Sequence, residues 1–369
     1  MFTQEWSTSP RSHGVIHDRD VKIPTSDGVM LDGDILRPDG GVPCPALVSV
    51  HAYSKADQMS DLVPEGFSHA RGHMEAGDPQ FFARRGYAQL IVNVRGTGGS
   101  EGIYEERGPR TISDICEVIA WIAEQDWCDG NVGMYGMSYF AIVQNLVAVR
   151  RPPALKAIFA PFGYTDMYRD RFYHGGILNH AFMKMWLPTV DNLRSASILG
   201  EDMEAEEYER LLEVAKSDPD IMAVPFLRHT LENPNEWDTC LVADILAQPL
   251  DGPYFRERSV DYSQKPRVPA YFGACWGVYG LHLSGAFRNW ENWAGPKRMT
   301  IGPPVYLDRP VYQYQYESLR WFDHWLKGMD TGLDQDAPVK VFVDNKGTWL
   351  EAHDWPLPAT HWTEFYLHN

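Results

Sequence analysis

Between residues 46 and 160 short apolar runs alternate with amphipathic segments, and this alternation limits the folds open to the chain more than any other feature. Ala46–Val50, Tyr87–Val94, Val132–Tyr135 and Leu155–Ala160 read as strands buried on both faces. Between them, Pro79–Arg85 reads as a short helix. Thr111–Gln125 places Ile112, Ile115, Ile119 and Ile122 on one helical face, with Thr111 and Asp114 spaced as a capping box. Phe140–Arg150 is a further helix, stopped by Pro152-Pro153. Strands and helices joined in this order by short loops imply right-handed crossovers and a parallel sheet covered on both faces. Ahead of them, Asp18–Pro24 and Val29–Pro38 flank Ser26-Asp27-Gly28 and read as an antiparallel hairpin.

From about Tyr164 to Gln264 the rhythm breaks into helical patterns, Glu204–Ala215 among them, with no convincing strand. This stretch reads as a helical cap inserted in the sheet. The sheet resumes at Val268–Cys275 and Arg298–Ile301, and Tyr312–Lys327 is a last helix. Pro338–Val343 and Phe365–Leu367 read as strands. The expected division is a core in two parts, 1–163 and 265–337, a cap over 164–264, and a tail over 338–369.

Composition narrows the function classes. With 44% hydrophobic and 22% charged residues, the chain has the balance of a folded globular protein. A net charge of −17 argues against a nucleic-acid partner, which needs clustered Lys and Arg. No apolar run reaches membrane-spanning length and the first twenty residues are polar, so neither a membrane partner nor a secretory signal is expected. Five scattered cysteines, with no C-x-x-C pair, fit reduced thiols and a cytoplasmic location. Aromatic residues are abundant at 13%. They crowd Tyr164–Trp186 and Tyr306–Trp325, which fits either a core seam or an aromatic-lined pocket.

The chemistry centres on Gly133-Met134-Tyr135-Gly136-Met137-Ser138-Tyr139, set between a strand and a helix. A nucleophile at such a turn takes a strained backbone position, so the residue two before it must be small, and Gly136 is. Ser138 Oγ then stands at the end of the sheet. The helix beginning at Tyr139 turns its positive end towards it, and the Tyr139 N–H is a candidate oxyanion donor. A second glycine-rich segment, Asn93 to Gly102, has neither the G-x-G-x-x-G spacing nor the Lys-Ser/Thr of a phosphate loop, and reads from its residues as structural. Ser68-His69-Ala70-Arg71-Gly72-His73-Met74-Glu75 spaces two histidines by four beside a carboxylate. It lacks the H-E-x-x-H order of a zinc helix and reads as a solvated loop.

Arg95-Gly96-Thr97-Gly98-Gly99-Ser100-Glu101-Gly102, Trp127-Cys128-Asp129-Gly130-Asn131-Val132-Gly133 and Gly136-Met137-Ser138-Tyr139 together resemble one family. It comprises Xaa-Pro dipeptidyl-peptidases, cocaine esterases and α-amino-acid ester hydrolases. Tyr168-Arg169-Asp170, Tyr173-His174-Gly175-Gly176 and Arg320-Trp321-Phe322-Asp323-His324-Trp325-Leu326-Lys327-Gly328 extend the resemblance. It implies an α/β-hydrolase fold: a doubly wound, mainly parallel sheet, an inserted helical cap, and a C-terminal β region in which the tail from Pro338 is similar to the start of a jelly roll. It also implies that Tyr53, in His51-Ala52-Tyr53-Ser54-Lys55, donates its hydroxyl to an oxyanion.

Four positions depart from the pattern. Where the family has the Asp and His that complete a triad with serine, this sequence has Val278 and Tyr306. Asn93 stands where an acid is usual, and Ala141 where a Gly is usual. One reading refills the roles nearby, with His282 as base and Asp308 as its orienting acid. The other is a relative that binds ligand without turnover, or uses Ser138, Tyr53 and Tyr306 for elimination or acyl transfer. His51, His69, His73 and His174 are further acid–base candidates. The leading expectation is hydrolysis of a small ester or amide through an acyl-Ser138 intermediate, with Tyr53 and Tyr139 as oxyanion donors. No metal or organic cofactor is implied, and the acidic surface leaves room for a homo-oligomer.

Overall fold

The computed structural model describes residues 6–59, 75–303 and 310–367. Its strands are β1 (Val15–Pro24), β2 (Met30–Pro38), β3 (Cys44–His51), β4 (Ala88–Asn93), β5 (Cys128–Tyr135) and β6 (Leu155–Pro161). After a two-residue pair, β7 (Tyr173–His174) and β8 (Ile177–Leu178), come β9 (Ala270–Cys275), β10 (Lys297–Gly302), β11 (Val339–Val343) and β12 (Thr348–Ala352). All but β7 and β8 form one sheet, ordered β1-β2-β4-β3-β5-β6-β9-β10-β11-β12. The run from β4 to β11 is parallel throughout, and antiparallel pairs occur only at its two ends.

Central strands are apolar because both faces are covered. Every residue of β3, β4 and β9 is buried. The helix Pro109–Ala123 lays Ile112, Ile115, Val118, Ile119 and Ile122 into the core on one side. Helix Pro310–Lys327 lays Leu319, Trp321, Phe322 and Leu326 against Tyr135 and Phe159 in a second core cluster. The helix Tyr139–Arg150 is buried from Tyr139 through Ala148. It has almost no amphipathic pattern because helix Pro109–Ala123 and the strands β3, β5 and β6 pack around it, leaving no face to water over those residues.

Several details correct the sequence reading. Thr111 does not cap its helix: the N-cap is Gly108, followed by Pro109. The Glu105 carboxylate accepts from the Arg110 and Thr111 N–H groups at 3.0 and 3.3 Å. Asp114 points instead into a buried ion pair, 2.8 Å from Arg95. Phe365–Leu367 is not a strand; its side chains are exposed, and with no partner strand an apolar run has nothing to pair with. Thr348–Ala352, not anticipated, is a strand. It pairs antiparallel with β11, which itself extends the main sheet beside β10.

Residues 164–264 carry helices, as the patterning implied. A single π-turn, Met167–Phe172, opens the segment and aims consecutive charged side chains at different partners. Asp170 meets Arg288 at 2.7 Å, and Arg171 meets Glu106 at 2.9 Å. The cap is tied to the Asn93–Gly102 loop by backbone hydrogen bonds. Gly98 N–H donates to Asp191 O at 2.8 Å and Arg194 N–H to Gly96 O at 2.8 Å, while Asp191 N–H donates to Ala52 O at 2.9 Å. That loop is structural, and its job is to seat the cap. All five cysteines are free thiols. Among the described residues no helix is long and apolar enough to cross a membrane.

Candidate active site

Three loops leave the C-terminal ends of β3, β5 and β9 and meet in one cleft of about 890 Å³. Tyr53, Ser138 and His282 all line it, and the cap roofs it with Phe182, Met185 and Trp186.

Ser138 sits at φ 57°, ψ −118°, a conformation that L-residues rarely adopt. The surrounding structure holds it there. Met137 N–H donates to Glu75 O at 3.0 Å, Ser138 N–H to Pro161 O at 3.3 Å, and Gln144 Nε2 to Gly136 O at 2.9 Å. Gly136 has φ +129°, and a Cβ there would stand 2.7 Å from Phe140 Cβ. The small residue expected two before the nucleophile is therefore required on two grounds.

His282 Nε2 lies 3.4 Å from Ser138 Oγ, a loose contact of the kind that tightens around a bound substrate. His282 is buried at the start of helix Leu283–Asn292, its N–H bonded to Val278 O at 3.0 Å. Burial, reinforced by the Arg107 and Arg171 guanidiniums against the opposing Asp170, pushes its pKa down to about 3. The imidazole is therefore neutral at working pH, as a proton acceptor must be. Asp170 spends its oxygens on Arg288, Ser284 and the N–H groups of Thr165 and Asp166.

Tyr53 Oη accepts the Trp186 indole N–H at 3.0 Å. An indole N–H only donates, so the tyrosine's own proton is directed elsewhere. Asn93 Nδ2 donates to Tyr53 O at 2.7 Å, so the amide found where an acid is usual supports this loop. Behind the site, the Arg107 guanidinium lies 4.1 Å over the Tyr139 ring and shares Glu106 with Arg171.

The other candidates separate. His51 is fully buried, its Nδ1 accepting the Tyr53 N–H at 2.9 Å and its ring stacked on Phe140, so it shapes the Tyr53 loop. His174 bonds Asp170 O at 2.8 Å in the cap, away from the cleft lining. Val278 occupies the cleft wall. Asp308 and Tyr306, like His69 and His73, lie outside the described residues. Among the described residues no three metal-ligating side chains cluster. Sequence reasoning missed Arg107, placed Trp186 only at the end of an aromatic stretch offered as a core seam or pocket lining, and placed Glu75 only beside the two histidines. Glu75 lines the same cleft as Ser138. None of the three belongs to a periodic pattern, and only tertiary contact shows them.

A mostly parallel sheet, a cap over the strands' C-terminal ends, and a serine at a positive-φ elbow after β5 define an α/β-hydrolase fold. Within that fold the chain belongs to the X-Pro dipeptidyl-peptidase family, S15, whose match covers residues 27–305. It is similar to the cocaine esterase of Rhodococcus sp. (strain MB1 Bresler), 29% identical over 94% of this chain and 61% of that protein. A putative Xaa-Pro dipeptidyl-peptidase of Bacillus anthracis is 24% identical over 76% of this chain and 45% of its own length. Among solved structures, a CocE/NonD family hydrolase from Staphylococcus aureus superposes with a TM-score of 0.76 at 27% identity, covering 95% of this chain and 58% of that one. The chain thus spans less than two-thirds of the length of each of these relatives.

Proposed function

We propose that this chain is a serine hydrolase that cleaves an ester or amide through an acyl-Ser138 intermediate. The observation that carries this reading is the 3.4 Å approach of His282 Nε2 to Ser138 Oγ at a strained elbow. His282 comes from the loop where the family's triad Asp is absent, and it supplies an imidazole base that the family pattern places after β10. In this mechanism Ser138 Oγ attacks the carbonyl carbon as His282 takes its proton. The Tyr53 hydroxyl and the Tyr139 N–H hold the oxygen that becomes negative. The apolar cap side chains Phe182, Met185 and Trp186 support a small substrate with a hydrophobic acyl or alcohol part.

The test is intact-mass labelling with a fluorophosphonate. One adduct per chain is expected, and none with Ser138→Ala. A folded, unlabelled parent protein would remove the hydrolase reading and leave a ligand-binding or non-hydrolytic role.

Tyr53 gives a second check. Trp186→Phe keeps the cleft wall but removes the indole donor, so the phenol loses its orientation. The expected result is a fall in ester kcat of about 10-fold, smaller than the about 10²–10³ for deleting an oxyanion donor outright in Tyr53→Phe. Steady-state kinetics on one ester compares the two variants. Equal turnover in Trp186→Phe and the parent protein would show that the indole bond does no positioning.

A further inference from the structure

Glu75 reaches the nucleophile from a part of the chain that carries none of the family motifs. Its carbonyl accepts the Met137 N–H at 3.0 Å, and Gln58 Oε1 accepts both its own N–H, at 3.1 Å, and that of Ala76, at 3.2 Å. These three bonds fix the Glu75 backbone between the elbow and the helix Lys55–Met59. The carboxyl lines the same cleft as the Ser138 side chain, and the hydroxyl's effect is to favour its charged form. Its Oε2 is buried with no hydrogen-bond partner among the described residues. Burying such an atom unpaired is costly, and proteins accept that cost mainly where the group has work to do.

Resting on the serine-hydrolase reading, we propose that Glu75 is the general acid of this site, protonating the departing oxygen or nitrogen while His282 accepts the Ser138 proton. The substrate class follows: esters of unactivated alcohols, or amides, whose leaving groups are too basic to depart without a proton. In acylation, the Ser138 Oγ–C bond forms and the C–O or C–N bond breaks. The Ser138 proton goes to His282, the Glu75 proton goes to the leaving group, and a neutral alcohol or amine departs. In deacylation, the Glu75 carboxylate takes a proton from the attacking water, and the His282 imidazolium returns its proton to Ser138. Both groups end as they began, and one ester or amide plus one water has become an acid plus an alcohol or amine.

The electrostatics of the cleft support the division of labour. Burial pushes the Glu75 carboxyl up to about 8 against the smaller opposing effects of Ser138 and Arg107, while His282 is pushed down to about 3. At neutral pH the acid therefore holds its proton and the base does not. Two titratable groups with pKa values driven apart mark an acid–base pair. Among the described residues, Ser138 and Arg107 act on Glu75, and the titratable groups that line the same cleft are Tyr53, Asp57, Asp191, Tyr279 and His282.

The experiment compares an ethyl ester with the p-nitrophenyl ester of the same acid, whose phenolate leaves unaided. Glu75→Gln is expected to lower ethyl-ester kcat/KM, which reads acylation alone, by about 10²-fold or more, and p-nitrophenyl-ester kcat/KM by less than about 10-fold, while deacylation slows equally for both. Glu75→Asp should recover part of the difference. In the parent protein the ethyl to p-nitrophenyl rate ratio should fall above about pH 8, as Glu75 ionises, and this arm needs no variant to fold. Equal losses for both esters in a variant that still labels at Ser138, or a flat ratio from pH 6 to 9.5, would overturn the assignment. Absence of Ser138 labelling in the parent protein would instead overturn the hydrolase reading and this inference with it.

Discussion

His282→Ala is expected to lower ester kcat by about 10⁴-fold or more, because serine hydroxyls are weak nucleophiles without a base and members of such a relay act as a unit. Fluorophosphonate labelling should slow in parallel, since it needs the same activated oxygen. The pH profile supplies a sharper signature. An ordinary histidine base switches off as pH falls through about 6.5. His282 is held down to about 3 by burial and Arg107, so labelling should stay nearly level down to pH 5. An acid limb near 6.5 would mean that a different, solvated histidine serves Ser138.

Stability carries the same shift with a definite sign. The folded-state pKa lies below the unfolded value, so unfolding takes up a proton between about pH 3 and 6.5, and stability is lost as pH falls through that window. His282→Ala should flatten the acid limb of a denaturation series by at most about 1.4 kcal/mol per pH unit.

The second large effect is expected at Gly136. Gly136→Ala places a methyl group in a left-handed conformation and 2.7 Å from the rigid Phe140 Cβ, with Glu75 O at 3.1 Å. Backbone strain and overpacking together should cost about 2–6 kcal/mol. Chemical denaturation measures this directly. Relief of the clash would move Phe140 or Glu75, so the variant should also lose most labelling even where it stays folded. Near-parental stability and labelling would show that the elbow has more room than these distances allow. By contrast, Gly28 and Gly130 also have positive φ, but a Cβ at either meets nothing within 4 Å, so only the conformational cost applies there.

The strand and helix pattern of the core was legible in the sequence because it follows from burial. Residues on both faces of β3, β4 and β9 are mostly apolar because both faces are covered, and the polar exceptions Ser49, His51, Gln89 and Asn93 are buried within hydrogen-bond reach of partners. The elbow was legible because one strained backbone position demands a small residue two before the serine. The helix cap was misread because Glu105, upstream and outside the helix, does what Thr111 and Asp114 were spaced to do. A capping signature is local, and a carboxylate arriving from a preceding loop leaves no mark on it. The strand Thr348–Ala352 escaped notice because its side chains are mixed and its pairing with β11 is what makes it a strand.

Sequence alone therefore determined the central strands of the sheet and the elbow that holds Ser138, since each rests on periodicity or on a backbone constraint that residue identity encodes. It named His282 as the candidate base from its place shortly after Val278, with other histidines beside it as further candidates. The tertiary structure brings His282 to 3.4 Å from Ser138 Oγ and engages His51 with the Tyr53 N–H and His174 with Asp170 O. The same folding brought Glu75, Arg107 and Trp186 to the site. Electrostatic and hydrogen-bonding partners are selected by distance in space, and chain separations of 31 to 144 residues from Ser138, Arg107 at the near end and His282 at the far end, give no local pattern from which that distance can be read.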